Sequence, residues 1–433
     1  MSDGTFGLLV SIALVAVLAG LAHASRLPRT VKTLLVGAIF LRLIGAIARH
    51  TVIEEFYGGV GDARFYFNTA REYALRFAQW DFSPFYDAML WTRTSLWGTQ
   101  FVTYPASLVV WAIGPSYLGS FIFFSLFSFL GLCGFVIAFR RMYPHVPLWR
   151  YARWVWFFPA LWFWPSSIGK ESLLLMGTGL AVWGFVGRNG RVNWLLLGLG
   201  TFLVFAVRPP YAAVLFFAVT LAFWLPAPGG WTAKTVLQGI VILVIGYFGL
   251  QGSFQQMGVD GFDLGGIQNY MEANTALSEG GSQIEAVGPS ITGVPMALVN
   301  ILVRPFPWDV NNLMMAFAAV EIGFLWLVAY RRRRHLKYVL RNWRADRLLR
   351  LAVIFIPLYA VMLGLLLANL GIIARQRLFI FPFVFILFEA IPIVARRRPR
   401  PAVPRYGPHV RPVPEVYPGR VQPPPPRWPV QYR

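Results

Sequence analysis

The sequence predicts an all-α fold, a bundle of transmembrane helices, on three observations. Hydrophobic residues make up 57% of the 433 positions and charged residues only 13%, with a mean hydropathy of +0.57. An ordinary soluble domain is less apolar and carries about twice that charge. The apolar residues are also gathered into long runs, and the charges between the runs are sorted by sign.

The runs lie at 6 to 23, 32 to 50, 117 to 139, 154 to 167, 171 to 187, 194 to 207, 211 to 226, 235 to 250, 312 to 330, 351 to 369 and 378 to 395. A helix needs about 20 apolar residues to cross the hydrocarbon, so the runs predict about eleven spans. Two of them, 154 to 167 and 194 to 207, are short for the task. The first run has neither a basic leader nor an A-x-A-like site, and is expected to be a retained span rather than a cleaved signal peptide. The stretch 101 to 114, "FVTYPASLVVWAIG", is expected to dip into the bilayer or lie at its surface without crossing.

Charge placement sets the expected orientation. Residues 331 to 350 carry nine Lys or Arg and one Asp, and residues 396 to 433 carry nine Arg and one Glu, so these two pieces supply +16 of the net +21. Basic excess marks cytoplasmic segments of a membrane protein. The same sign recurs at Arg26, Arg29 and Lys32, at Arg140, Arg141, Arg150 and Arg153, at Arg188 and Arg191, and at Lys234. A multi-pass protein of the inner (plasma) membrane with a cytoplasmic C-terminal tail follows, and its charge needs no nucleic acid. The expected organisation is a membrane domain over 1 to 395, with external loops at 50 to 100 and 251 to 310 and a basic cytoplasmic loop at 331 to 350. The tail from 396 to 433 holds twelve of the 31 prolines, with four in a row at 423 to 426. It reads as extended and disordered, held near anionic lipid head groups. On the external side, residues 251 to 292 contain Asp260, Asp263, Glu272, Glu279 and Glu285 and no Lys or Arg, and are expected to act as a lid.

A single cysteine, Cys133, excludes a disulfide framework and a thiol metal site. No H-E-x-x-H, Walker-type loop or dinucleotide fingerprint is present, so energy for any chemistry must arrive with the substrate. No motif demands a cofactor, and a divalent cation stays open. The candidate residues are ions placed at the external ends of spans. In "GVGDARFYFNTAREYALRF", Tyr66, Ala70, Tyr73 and Phe77 recur at helical spacing, and the segment is expected to lie at the external interface with Asp62 at its first turn. Asp62 suits a helix cap, and equally a carboxylate that deprotonates a hydroxyl. "WPSSIGKES" (164 to 172) is expected to be a turn dipping toward lipid, which leaves Lys170 and Glu171 at membrane depth. Ions there face a cavity, snorkel outward or pair with a neighbour. Arg208 in "VRPPY", Arg304 in "VRPFPWD" and Arg375 and Arg377 in "GIIARQRLF" repeat the pattern. Any one of them could snorkel, but together they suit a shared anionic ligand, because guanidinium groups bind phosphate bidentately. Asp309 is expected to pair with one of these arginines.

The combination of "GDARFYFNTA", "FFPALWFWPSSIGKESLL", "RPFPWD" and "NLGIIARQRLFIFPF" resembles bacterial membrane glycosyltransferases of the GT-C fold, and is similar to membrane proteins of exopolysaccharide and capsule biosynthesis. The resemblance spans about residues 30 to 395 as scattered motifs. It implies a polyprenyl-phosphate sugar donor, a glycan or lipid acceptor, transfer on the external face, and a catalytic acid in the first loop, here Asp62. Glu171 would correspond to the second acid. Lys170, Arg208, Arg304, Arg375 and Arg377 would bind the donor phosphate, with Tyr66 and Tyr104 lining the substrate. GT-C families often have two adjacent acids where this chain has Asp62-Ala63, which speaks against metal binding by that motif. A polysaccharide polymerase or ligase acting on diphosphate-linked oligosaccharides is the first alternative. The second is a lipid-linked sugar transporter, for which ionisable groups near the midplane and internal repeats would be expected; Arg42 is the best mid-span charge, and no repeat is evident.

Overall fold

The computed structural model describes residues 3–86, 98, 100–225, 237, 282–285, 287, 290 and 292–393. Among these residues the chain is helical, with two isolated β-bridges and no strand. The helices are α1 (Asp3–Ala24), α2 (Arg29–Thr51), α3 (Asp62–Ala78), α4 (Thr103–Ile113), α5 (Tyr117–Met142), α6 (Leu148–Phe157), α7 (Pro159–Phe163), α8 (Lys170–Val186), α9 (Trp194–Val207), α10 (Pro209–Trp224), α11 (Gly293–Leu302), α12 (Leu313–Arg331), α13 (Arg333–Arg341), α14 (Arg347–Leu366), α15 (Leu370–Gln376) and α16 (Phe381–Glu389).

Five of these segments are long and apolar enough to cross a membrane: Gly4–Ala24, Arg29–Phe56, Tyr117–Met142, Leu313–Arg331 and Arg347–Leu366. The segments Leu370–Phe379 and Phe381–Glu389, bent by 52°, would together make a sixth. This is the architecture of a helical membrane protein. The remaining runs differ from the sequence expectation for identifiable reasons. The run 154 to 167 is split at Pro159, which has no N–H and ends α6. The runs at 171, 194 and 211 form helices of 17, 14 and 16 residues, shorter than those five. Leu237 is the one described residue of the run 235 to 250. The lid residues 251 to 281 and the tail 396 to 433 lie outside the described residues. The stretch 101 to 114 forms an eleven-residue helix, α4, roughly 16 Å long, too short to cross.

Small residues draw the central helices together. α8 packs between α5 and α9, and a Cβ added to Gly179 of α8 would stand 1.9 Å from the Gly131 carbonyl oxygen of α5. A Cβ on Gly200 of α9 would stand 2.4 Å from the Ala181 nitrogen. Without a hydrophobic drive between helices in lipid, such close backbone approach is what holds them together.

The break at Pro159 is repaired by side chains from other helices. Arg42 of α2, fully buried, donates to the carbonyls of Trp156 and Leu161, both at 3.0 Å. Glu321 of α12 accepts from the Ala160 N–H at 2.7 Å. Ionisable groups inside the bundle thus satisfy backbone groups that lipid could not. This is what Arg42 does here.

The two ends of the bundle differ. At one, Arg141 donates to the Gly187 carbonyl at 2.8 Å, Arg347 donates to Phe185 and Gly190, and Tyr143 donates to Asp346. Glu389, fully buried, pairs there with Arg332 at 2.7 Å and Arg150 at 3.0 Å, and accepts from the Trp154 indole. The ends of α8 and α12 and the start of α14 lie at this basic end. The end of α2 and the start of α12 lie on a cavity.

Candidate functional site

The cavity, of about 400 Å³, is lined by residues from six separate places in the chain: the end of α2 and the loop after it, the start of α3, the turn 164–168, Ser282, the start of α12, and the start and end of α15. All but Ser282 lie at or beside helix termini, where backbone groups and capping side chains are available.

Asp62 is the first residue of α3 and stands exposed on the rim. Its position is fixed by the reversal between α2 and α3. The last turn of α2 widens into a π-helical turn, Val52–Phe56, and the chain turns back through Gly58 at φ +60° and Gly59 at φ +72°, conformations that side-chain-bearing residues avoid. An ion pair between Glu54 and Arg64 ties the start of α3 to this turn, and Arg64 also lies 5.2 Å over the Tyr117 ring. The buried face of α3 is made of Ala63, Tyr66, Phe67, Ala70, Ala74 and Phe77, and packs on α4.

Two guanidinium groups line the same cavity. Arg375, near the end of α15, donates to Glu171 at 2.7 Å; the Glu171 side chain is 3% exposed, that of Arg375 33%. The pair joins α15 to the start of α8. Arg49, in the last turn of α2, is 6% exposed, and its Nε and Nη1 have no hydrogen-bond partner. It lies 4.9 Å from the Trp164 ring centre and 5.5 Å from that of Phe163. The turn that brings these aromatics is the "WPSSIG" segment, buried from Pro165 to Gly169, with Trp164, Ser167 and Ile168 on the cavity wall. Asn312 and Asn369 complete the lining as helix caps: Asn312 accepts from the Met315 N–H at 2.9 Å, and Asn369 from Gly371 at 2.9 Å and Ile372 at 3.2 Å.

Of the residues singled out from sequence, Asp62 and Arg375 face this cavity directly and Glu171 is bonded to Arg375 behind its wall. Lys170, half-buried at the start of α8, lies in electrostatic range of Arg208, Asp62, Glu171 and Arg375 but not on the cavity lining. Arg208 caps the junction of α9 and α10, and its Nη1 is buried without a partner. Tyr66 is fully buried within electrostatic range of Arg375. Tyr104 stacks with Tyr73 at 6.0 Å and holds α4 against α3, away from the lining. Arg304 and Arg377 lie elsewhere. Arg304 is held bidentately by Asp309, at 2.7 and 3.0 Å, the pairing expected for Asp309. Arg377, 1% exposed, donates to the carbonyls of Arg304 and Ile301. The Asp309 carboxyl, in a turn outside the spans, is held below its ordinary value by the hydrogen bond from Arg304.

Arg49 was not among the sequence candidates. It falls at the last position but one of a predicted span, beside an external loop rich in both signs, so nothing local separates it from a snorkelling arginine. The signal was its spacing: seven residues after Arg42, it shares that residue's inward face of α2.

Among the described residues no group of three or more His, Cys, Asp or Glu side chains could hold a metal ion. No protein family, curated protein or solved structure matches the chain.

Proposed function

We propose that the protein is a membrane glycosyltransferase that moves a sugar from a polyprenyl-phosphate donor to a cell-envelope glycan or lipid acceptor. On this reading the fold is the GT-C type with about eleven crossings, short and broken ones included. The basic end faces the cytoplasm and the cavity opens at the external face of the plasma membrane. The observation that supports it is the gathering, on one cavity at a bundle end, of an exposed carboxylate, Asp62, and two guanidinium groups, Arg49 and Arg375. A lipid-linked phosphate sugar has its anionic head at that depth and its chain in the bilayer.

Asp62 takes the proton of the acceptor hydroxyl as the hydroxyl oxygen attacks the anomeric carbon. The bond from that carbon to the phosphate oxygen breaks, and polyprenyl phosphate leaves with the electron pair. Arg49 and Arg375 stabilise the charge that grows on the leaving phosphate; preorganised donors of this kind contribute about 3 to 4 kcal/mol each when removal is measured. Glu171 orients Arg375, and Lys170 and Arg208 add positive potential beside it.

The test is to supply purified protein with radiolabelled polyprenyl-phosphate sugars and, separately, diphosphate-linked oligosaccharides. Consumption of the first by the native chain and not by Asp62→Asn supports transfer. Polymer made from the second would favour the polymerase reading, and turnover of neither would remove the enzyme.

A further inference from the structure

A separate groove lies at the basic end of the bundle. Where α12 meets α13 there is a groove of about 580 Å³ whose walls are apolar, among them Trp326, Leu336 and Leu340. Along one edge run Arg333, Lys337 and Arg341, one basic side chain per turn of α13, and no acidic residue lines the groove. The opposite side of α13 is anchored: Val339 is fully buried, and Tyr338 donates to the Pro392 carbonyl at 3.1 Å. The groove therefore belongs to a fixed helix.

We propose that this groove binds an anionic phospholipid, with an acyl chain against Trp326 and Leu340 and the phosphate head on Arg333, Lys337 and Arg341. The inference is independent of the glycosyltransferase reading. Two observations choose the occupant. First, the groove lies at the end of the spanning helix α12, and two of its own wall residues, Trp326 and Tyr330, are 50% and 65% exposed, a surface that such a helix offers to lipid. Second, the charges are complementary only to an anion. The chain's own tail carries nine arginines and one glutamate, and a second copy would bring the same basic end, so both are repelled. Arg333 is already set in place, stacked at 4.5 Å from the Tyr330 ring and donating to the Tyr330 carbonyl at 3.1 Å.

The experiment is native mass spectrometry of the full chain in detergent with added phosphatidylglycerol or phosphatidylcholine of identical acyl chains. The expected result is retention of phosphatidylglycerol in preference to phosphatidylcholine. The variant R333Q/K337Q/R341Q, whose changes are on exposed side chains, should lose on the order of a hundredfold in affinity, and R188Q/R191Q, on another basic surface, should lose little. Thermal unfolding of each variant checks that the fold is retained. Equal retention of the two lipids, unchanged affinity in the triple variant, or full competition by glycerol phosphate alone would each overturn the proposal, the last by showing a free-anion site.

Discussion

Replacing Arg49 by methionine should move stability and ligand binding in opposite directions. The guanidinium is 6% exposed and leaves Nε and Nη1 without partners, so the folded protein carries an uncompensated desolvation cost. Exchanging buried charge for an apolar side chain of similar volume is neutral or stabilising by about 1 to 4 kcal/mol. Against this stands the loss of two cation–π contacts, at 4.9 Å to Trp164 and 5.5 Å to Phe163, together about 1 to 3 kcal/mol. The net for the empty protein is near zero, within roughly 2 kcal/mol of no change. Binding has no such offset. Hydrogen bonds to a charged partner are worth about 1.5 to 3 kcal/mol, so affinity for a phosphate lipid should fall roughly 10- to 150-fold. Thermal unfolding in detergent measures the first quantity, and titration with a short-chain prenyl phosphate the second. Loss of the folded state with unchanged affinity in whatever folds would show that Arg49 is a structural residue, and the cavity would lose its anion site.

Glu171→Gln should cost about 3 to 5 kcal/mol of stability by leaving Arg375 unpaired, and a double-mutant cycle with Arg375→Gln should recover part of it; additive losses would deny the 2.7 Å pair its energetic role. Asp62→Asn should abolish transfer while the unfolding temperature stays put, because Asp62 is exposed and makes no bond that shapes the fold. Gly179→Leu should prevent α8 from seating on α5, since even a Cβ would come within 1.9 Å of the Gly131 oxygen; a folded, active variant in gel filtration would contradict this packing. The Arg304–Asp309 clasp should persist from neutral pH down to the ordinary aspartate value of 3.8 and loosen only below it. The sign follows from a carboxyl held low in the fold: its contribution is present above the unfolded value and lost as pH falls through the folded one. Amide protection factors at Phe306 and 308 to 310, corrected for the intrinsic pH dependence of exchange, should match between pH 7 and pH 5, and fall at pH 7 only in Asp309→Asn.

What was legible in the sequence was whatever periodicity and charge sign encode. The apolar runs gave the long spans, and of the pattern Tyr66, Ala70, Tyr73, Phe77 all but Tyr73, which is half-buried, belong to the buried face of α3. The proline and glycine of "WPSSIGKES" marked a turn; its burial within the protein from Pro165 to Gly169 was not expected from sequence. What was hidden is pairing. Sequence reading assigned Glu171 and Arg375 separate tasks, although they are 204 positions apart in the chain and bonded to each other in the fold. It grouped Arg304 and Arg377 with Arg375 by their shared position at span ends. Which face of the bundle each arginine meets depends on helix rotation, and that is decided by backbone contacts such as Gly131 against Gly179 which no single segment reveals.

Arg42 and Arg49 make the strongest internal comparison. Both lie on one face of α2, two turns apart, and both point at the segment 156–164. Arg42 bonds to two carbonyls left without an i+4 amide, that of Trp156 at the break before Pro159 and that of Leu161 opposite Pro165. Arg49 meets only the faces of Phe163 and Trp164 and the cavity beyond. The same broken segment that pairs one guanidinium therefore leaves the other with aromatic faces that stabilise its charge and use none of its N–H donors. A purely structural cation would be better placed where Arg42 is. On the proposed reading, this buried cation, flanked by aromatics and lining the same cavity as the Asp62 carboxylate, is the group that meets the donor phosphate.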